Sequence, residues 1–195
     1  MEVIQWPDSR LLQIANLIDV SVTPPEEIEE KIEAMKLVLS EETHGVGLAA
    51  TQVGWMRRAF VMVHLDGECT SYKSFLNPEI VKQYGDTSLD WEGCLSAKKA
   101  AQLQVRRFET VDLRWEDLVC GELVSREETF SGLNARIIQH EVDHLDGKMY
   151  FHRVPANVRN SMLKKAYPPV STRLSSGPSK EEIMLKRGKR KNRSR

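Results

Sequence analysis

Residues 139–144 read Gln139-His140-Glu141-Val142-Asp143-His144. Leu133, Ile137, Val142 and Leu145 around them are apolar, and Asp146-Gly147 follows as a stop. The spacing predicts a helix from roughly Gly132 to Leu145. Residues four apart lie on one helical face, one turn along, so His140 and His144 can bind one metal ion together. Glu141, directly after the first imidazole, is placed to handle the proton of a water at that ion. The competing reading is a charged helix face that happens to carry two histidines. A metal that activates water needs a third protein ligand and an open position. Glu92-Gly93-Cys94-Leu95-Ser96 offers one: Gly93 allows close backbone approach, and a thiolate suits a borderline divalent ion. Taken alone, Cys94 reads as a small buried hydrophobe. Cys69, beside a turn, and Cys120, in a predicted strand, read as structural.

The composition is that of a globular chain. Of 195 residues, 41% are hydrophobic and 29% charged, which excludes wholesale disorder and a collagenous repeat. The length suits one domain with a real core. Lys and Arg total 28, as do Asp and Glu, but the balance hides a split. Lys186–Arg195 holds seven basic groups and no acid, leaving 1–185 with 21 basic against 28 acidic groups, a net of −7. No run of about 18 apolar residues exists, so no membrane span is expected. The first twenty residues do not read as a secretory signal or transit peptide. Three cysteines are too few and too odd for a disulfide framework, which points to the cytoplasm.

Other elements fall into place around the motif. A helix is expected over Pro25–Glu42, with Thr23 as N-cap, Glu26 completing a capping box, and Ile28, Ile32, Met35 and Leu39 as its apolar stripe. Gly45 to Gly54 suggests tight backbone approach. Ala59–Val63 and Ser74–Pro78 read as short strands joined around Asp66-Gly67. Val105–Trp115 and Leu118–Ser125 read as a hairpin turning at Glu116-Asp117. A short helix over 155–165 is stopped by Tyr167-Pro168-Pro169. The expected organisation is a domain over 1–167 and a linker with a basic tail, without fixed structure, over 168–195.

Three separated motifs now stand in order: Gly45-x-Gly47-x-Ala49-Ala50-x-Gln52, Glu92-Gly93-Cys94-Leu95-Ser96, and Gln139-His140-Glu141-x-Asp143-His144. Together they resemble the peptide deformylases. Pro7-Asp8-Ser9-Arg10-Leu11, Asn77-Pro78, Gly132-Leu133 with Ala135-Arg136, and His144-Leu145-Asp146-Gly147 extend the resemblance over roughly residues 4–155. It implies an α+β fold, with mixed and antiparallel β-sheets around a central metal-binding helix. It implies removal of the formyl group from the N-terminal formyl-methionine of nascent polypeptides, releasing formate. Cys94, His140 and His144 match the family's metal ligands, with Fe2+ as the native ion and Zn2+ or Ni2+ as common substitutes after purification. Glu141 matches the general base and acid, while the Gln52 side chain and the Leu95 N–H match the oxyanion donors. Val46, Gly47, Leu95 and Ile137 match the surroundings of the methionine side chain; ordinary core packing is the plainer reading for Val46 and Ile137. Arg136 and Asp143 are expected to stabilise the motif helix, with Arg106 or Arg107 as partner to Asp143. A monomer with no membrane association is expected.

One departure stands out. The family commonly follows Cys-Leu-Ser with an apolar residue, a proline and, a few residues on, an arginine. Here Ala97-Lys98-Lys99-Ala100-Ala101 follows, which bears on the peptide beyond the methionine rather than on the metal ligands. Two other classes compete: a zincin-like protease, which needs a downstream third ligand that this sequence lacks, and a non-catalytic module keeping the fold, which has no use for Glu141. The basic tail Lys186–Arg195 reads either as a solubilising end without fixed structure or, by resemblance to bacterial members that dock at the ribosome through a C-terminal extension, as a contact to ribosomal RNA.

Overall fold

The computed structural model describes residues 1–66 and 69–168. Helix α1 spans Pro25–Glu41, and the expected stripe of Ile28, Ile32, Met35 and Leu39 is buried, joined by Val38. The expected cap is corrected. Pro24 is the N-cap, with no side-chain bond, and Thr23 is buried instead. The two prolines explain why: the N–H groups of Glu27 and Ile28 close onto the Pro24 carbonyl, and proline's fixed φ starts the helix without a hydroxyl cap.

Five strands follow: β1 (Gly47–Ala49), β2 (Ala59–Asp66), β3 (Cys69–Glu92), β4 (Leu103–Val119) and β5 (Glu122–Ser131). They form one sheet in chain order, and each neighbouring pair is antiparallel. Outside the named strands, one isolated parallel bridge joins Asn16 to Arg57.

Two sequence expectations change here. Ser74–Pro78 is not a short strand but part of the 24-residue β3. Pro78 lacks an N–H and reads as a stop, yet it sits at a register shift between Leu76 and Glu79, where a bulge tolerates it. Asn77 there has φ 47°, and its side-chain amide is held by the Ile18 backbone and by Glu116. The β4–β5 turn lies not at Glu116-Asp117 but at Cys120-Gly121, which takes φ 51° and 84°. Two positive φ values across a two-residue loop match the twist of a hairpin. Glu116 and Asp117 are mid-strand, paired with Ser125 and Val124.

Helix α2 (Gly132–Leu145) spans the residues expected of it and lies under the sheet. Successive residues of β2 face opposite ways. Phe60 and Met62 meet Ile138, Val142 and Leu145 of α2, together with Phe75, Leu113 and Phe130. Ala59 and Val61 meet the stripe of α1. Ten of the fourteen α2 residues are buried, so this helix is central rather than peripheral. A third cluster packs Leu11, Val105, Tyr150 and Phe151 with Met162 of α3 (Ala156–Ala166). No described helix is long and apolar enough to cross a membrane. The linker and basic tail from residue 169 onward lie outside the described residues.

Candidate active site

The sheet and α2 bring three candidate ligand side chains together. Cys94 follows the end of β3 in extended backbone and starts a 3-10 turn, Leu95–Ala97. His140 and His144 project from α2 with their rings 5.0 Å apart. The ligand atoms of Cys94, His140 and His144 lie within 4.8 Å of one another, with Cys94 Sγ 3.2 Å from His144 Nε2. A thiolate with two imidazoles fits a tetrahedral divalent ion with one position left for a small molecule.

Outer partners hold these ligands. His140 Nδ1 lies 3.0 Å from Glu92 Oε2, leaving Nε2 for the cluster. Glu92 is itself buried and takes a two-point bond from Arg107, at 3.0 and 2.9 Å, and a 2.7 Å bond from Arg136. Arg107 continues to Asp143 at 2.6 Å, and Arg153 pairs with the same carboxylate. The expected role of Asp143 and Arg136 in bracing the helix therefore has a defined geometry, and Arg107, not Arg106, is the partner; Arg106 instead bonds Thr87. The sequence motif assigns Glu92 no role of its own. Its position two residues before a ligand cysteine was the available signal.

Electrostatics separates the two imidazoles. Burial works against a charged His140, but bonds to Cys94 and Glu92 outweigh it and raise His140 to about 10. Burial and the charge of His140 push His144 well down. Burial also acts to raise Glu92, yet the bonds from His140 and Arg107 hold it at about 2. The pattern is that of anions arranged to keep positive charge at one point, a place for a cation. Burial lifts Glu141 to about 7, where a carboxylate is a useful proton acceptor near neutrality. Glu141 Oε2 and His144 Nδ1 are buried without a hydrogen-bond partner among the described residues. An unpaired buried carboxylate oxygen is costly and marks the point where a reacting group would bond.

The first motif walls the other side. Gln52 sits in a 3-10 turn, Ala50–Val53, that follows β1. Its carbonyl oxygen accepts from the Ala49 N–H at 2.8 Å, and its amide donates to Ser96 Oγ at 3.1 Å and toward Cys94 Sγ at 3.4 Å. Gly47 is glycine for a reason of space. A Cβ there would fall 2.8 Å from Glu141 Cδ and closer still to Oε1. Gly47→Ala is expected to displace the Glu141 carboxylate and lower kcat at least about tenfold with the metal content unchanged, as measured by steady-state kinetics.

These residues line a cleft of about 570 Å³. Val46, Gly47, Leu95 and Ile137 are all on its wall, and Ile137 belongs to the sheet core as well. Trp91 and Leu133, both largely exposed, line it too; their exposure only the fold reveals. Where the family pattern has proline and arginine, Lys98 instead crosses to Glu42 at 2.7 Å, tying the Leu95–Ala97 segment to the end of α1.

A family model for polypeptide deformylase matches residues 1–160. The chain belongs to the polypeptide deformylase family. A peptide deformylase from Chromobacterium violaceum is 36% identical over 155 residues, covering 79% of this chain and 86% of its own. The crystal structure of a peptide deformylase from Legionella pneumophila superposes with a TM-score of 0.73 at 32% identity, covering 85% of this chain and 92% of its own. A Met-Ala-Ser-bound class I type b peptide deformylase from Acinetobacter baumannii gives a TM-score of 0.70 at 31% identity, covering 79% and 98%. Membership in this deformylase family makes the chain a metal-dependent hydrolase, with an α+β fold shared by its relatives.

Proposed function

We propose that the cleft removes the formyl group from the N-terminal formyl-methionine of nascent polypeptides, and that Glu141 carries the proton through the reaction. The observation behind this is the seat of the Glu141 carboxylate, buried between Gly47 and the Cys94–His140–His144 cluster with one oxygen unpartnered among the described residues. A divalent ion held by those three ligands supplies the Lewis acidity that makes a water nucleophilic at neutral pH. Fe2+ is the proposed native ion, with Zn2+ or Ni2+ able to occupy the same donors. Glu141 accepts the water's proton as oxygen adds to the formyl carbon, then gives it to the departing nitrogen. The C–N bond breaks, and formate and a free N-terminal methionine leave. The Gln52 amide and the Leu95 N–H face the oxygen on which negative charge develops. Val46, Gly47, Leu95 and Ile137 receive the methionine side chain. The enzyme acts in the cytoplasm as a monomer.

Anaerobically purified protein is expected to carry about one divalent ion and to release formate from formyl-Met-Ala-Ser; cleavage of an internal peptide bond without formate release would overturn the reading. The basic tail Lys186–Arg195 is proposed to contact ribosomal RNA. Deleting 176–195 is expected to weaken low-salt co-sedimentation with ribosomes while tripeptide deformylation stays unchanged. Equal sedimentation of both forms would remove the proposal.

A further inference from the structure

The two proposed oxyanion donors come from distant parts of the chain, yet one short segment touches both turns that carry them. The Ile4 N–H donates to the Gln52 carbonyl at 2.7 Å. The Trp6 N–H donates to the Ser96 carbonyl at 2.7 Å. Between them, the Gln5 side-chain amide donates to the Leu95 carbonyl at 2.8 Å, and the Lys98 N–H points back to Gln5 Oε1 at 3.5 Å. Ile4 and Trp6 are partly buried against the third apolar cluster, with the Trp6 ring edge-on to Phe151 at 5.1 Å. The segment is therefore anchored on both sides of Gln5.

Among the described residues, the direct side-chain hydrogen bonds between the two turns run from the Gln52 amide, to Ser96 Oγ and toward Cys94 Sγ, so they use the very group needed for catalysis. A tie that spares that amide has to come from elsewhere, and Ile4–Trp6 supplies it. We propose that Ile4–Trp6 is a strap that fixes the spacing between the Gln52 amide and the Leu95 N–H, with Gln5 as a positioning residue for transition-state binding. This rests on the oxyanion roles proposed above. Preorganised donors stabilise developing charge only when held in place before it forms, so loss of the tie acts on kcat rather than on ground-state binding. The exposed Gln5 side chain fills no core space, so its truncation removes the bond to the Leu95 carbonyl without leaving a cavity, while the main-chain bonds of Ile4 and Trp6 stay in place.

The test compares Gln5→Ala, Gln52→Ala and the unaltered full-length metalloenzyme. Each is assayed for kcat on formyl-Met-Ala-Ser and for affinity toward Met-Ala-Ser, which has no formyl oxygen. Gln5→Ala is expected to lower kcat about five- to tenfold while Met-Ala-Ser affinity, metal content and Tm stay unchanged. Gln52→Ala is expected to lower kcat about 100-fold. An unchanged kcat in Gln5→Ala beside a slow Gln52→Ala would overturn the strap alone. A parallel loss of kcat and Met-Ala-Ser affinity in Gln5→Ala would reduce Gln5 to a structural role and also overturn it. Near-normal kcat in Gln52→Ala would overturn the oxyanion reading and the strap with it.

Discussion

Replacing Glu141 by glutamine is expected to leave the divalent ion bound and lower kcat on the order of 10³-fold, within the range for loss of a general base. The substitution keeps the side chain's length, so it neither fills the space beside Gly47 nor opens a cavity. It removes the negative charge and the capacity to take a proton, which are the properties the proposed reaction uses. None of the three ligand atoms is touched, since the cluster consists of Cys94, His140 and His144. Metal analysis beside formate-release kinetics checks both halves. Turnover within a few-fold of the unaltered enzyme would sink the proton-transfer role. Loss of metal with loss of activity would instead make Glu141 a support of the ligand set.

The second large effect concerns Glu92. It receives bonds from Arg107 and Arg136 and orients His140, all in buried surroundings. Glu92→Ala leaves two guanidinium groups short of an anion, which typically costs about 3–5 kcal/mol of folding stability. It also frees the outer nitrogen of His140, for which a 10–100-fold loss of metal affinity is typical. Urea denaturation of the metal-loaded protein and a competitive chelator titration measure the two. A pH dependence accompanies them. The Glu92 carboxyl is held at about 2 in the fold, below the ordinary 4.5. Its stabilisation is therefore complete above the ordinary value and lost as pH falls from there toward the folded value. The unaltered protein is expected to lose stability across that acid window, and Glu92→Ala to lose less. Identical acid profiles would rule out the linkage.

The parts of the molecule legible from sequence are those set by local pattern. The boundaries of α2 and the buried stripe of α1 follow from apolar spacing, and the meeting of Cys94, His140 and His144 follows from two histidines one helical turn apart plus a cysteine beside a glycine. Misreadings arise where a tertiary contact overrides a local rule. Glu116-Asp117 looks like a turn, but Asn77 reaches across to Glu116, and Asp117 is held by Trp115 and Arg126. Pro78 looks like a strand end until β4 is seen to shift register beside it. Thr23 looks like a cap until the proline pair makes it unnecessary. The ion network is legible only in part: an arginine partner for Asp143 is expected from the sequence, but Glu92 as the point where Arg107 and Arg136 meet is not. Glu92, Arg107, Arg136 and Asp143 are scattered over fifty residues, and nothing in their spacing states that one helix collects them. Gln5 was invisible for the same reason, since its partner is a carbonyl ninety residues away.

The burial of α2 has a consequence for divergence. Ten of its fourteen residues have no solvent-facing side to absorb change: His144 belongs to the Cys94–His140–His144 cluster, Arg136 and Asp143 to the ion network, Gln139 bonds the Phe108 main chain, Glu141 faces Gly47, and the other five are core contacts. The cleft's other walls, Glu42–Val46 and Leu95–Lys98, are joined across the mouth by an ion pair between partly exposed groups, which contributes little to folding. Descendants of this protein can thus explore new peptide preferences along the rim while the helix stays fixed. Tolerance and constraint are thus separated in space: Glu141, His140 and His144 sit on the helix that does not move, while the side chains of the rim are free to vary.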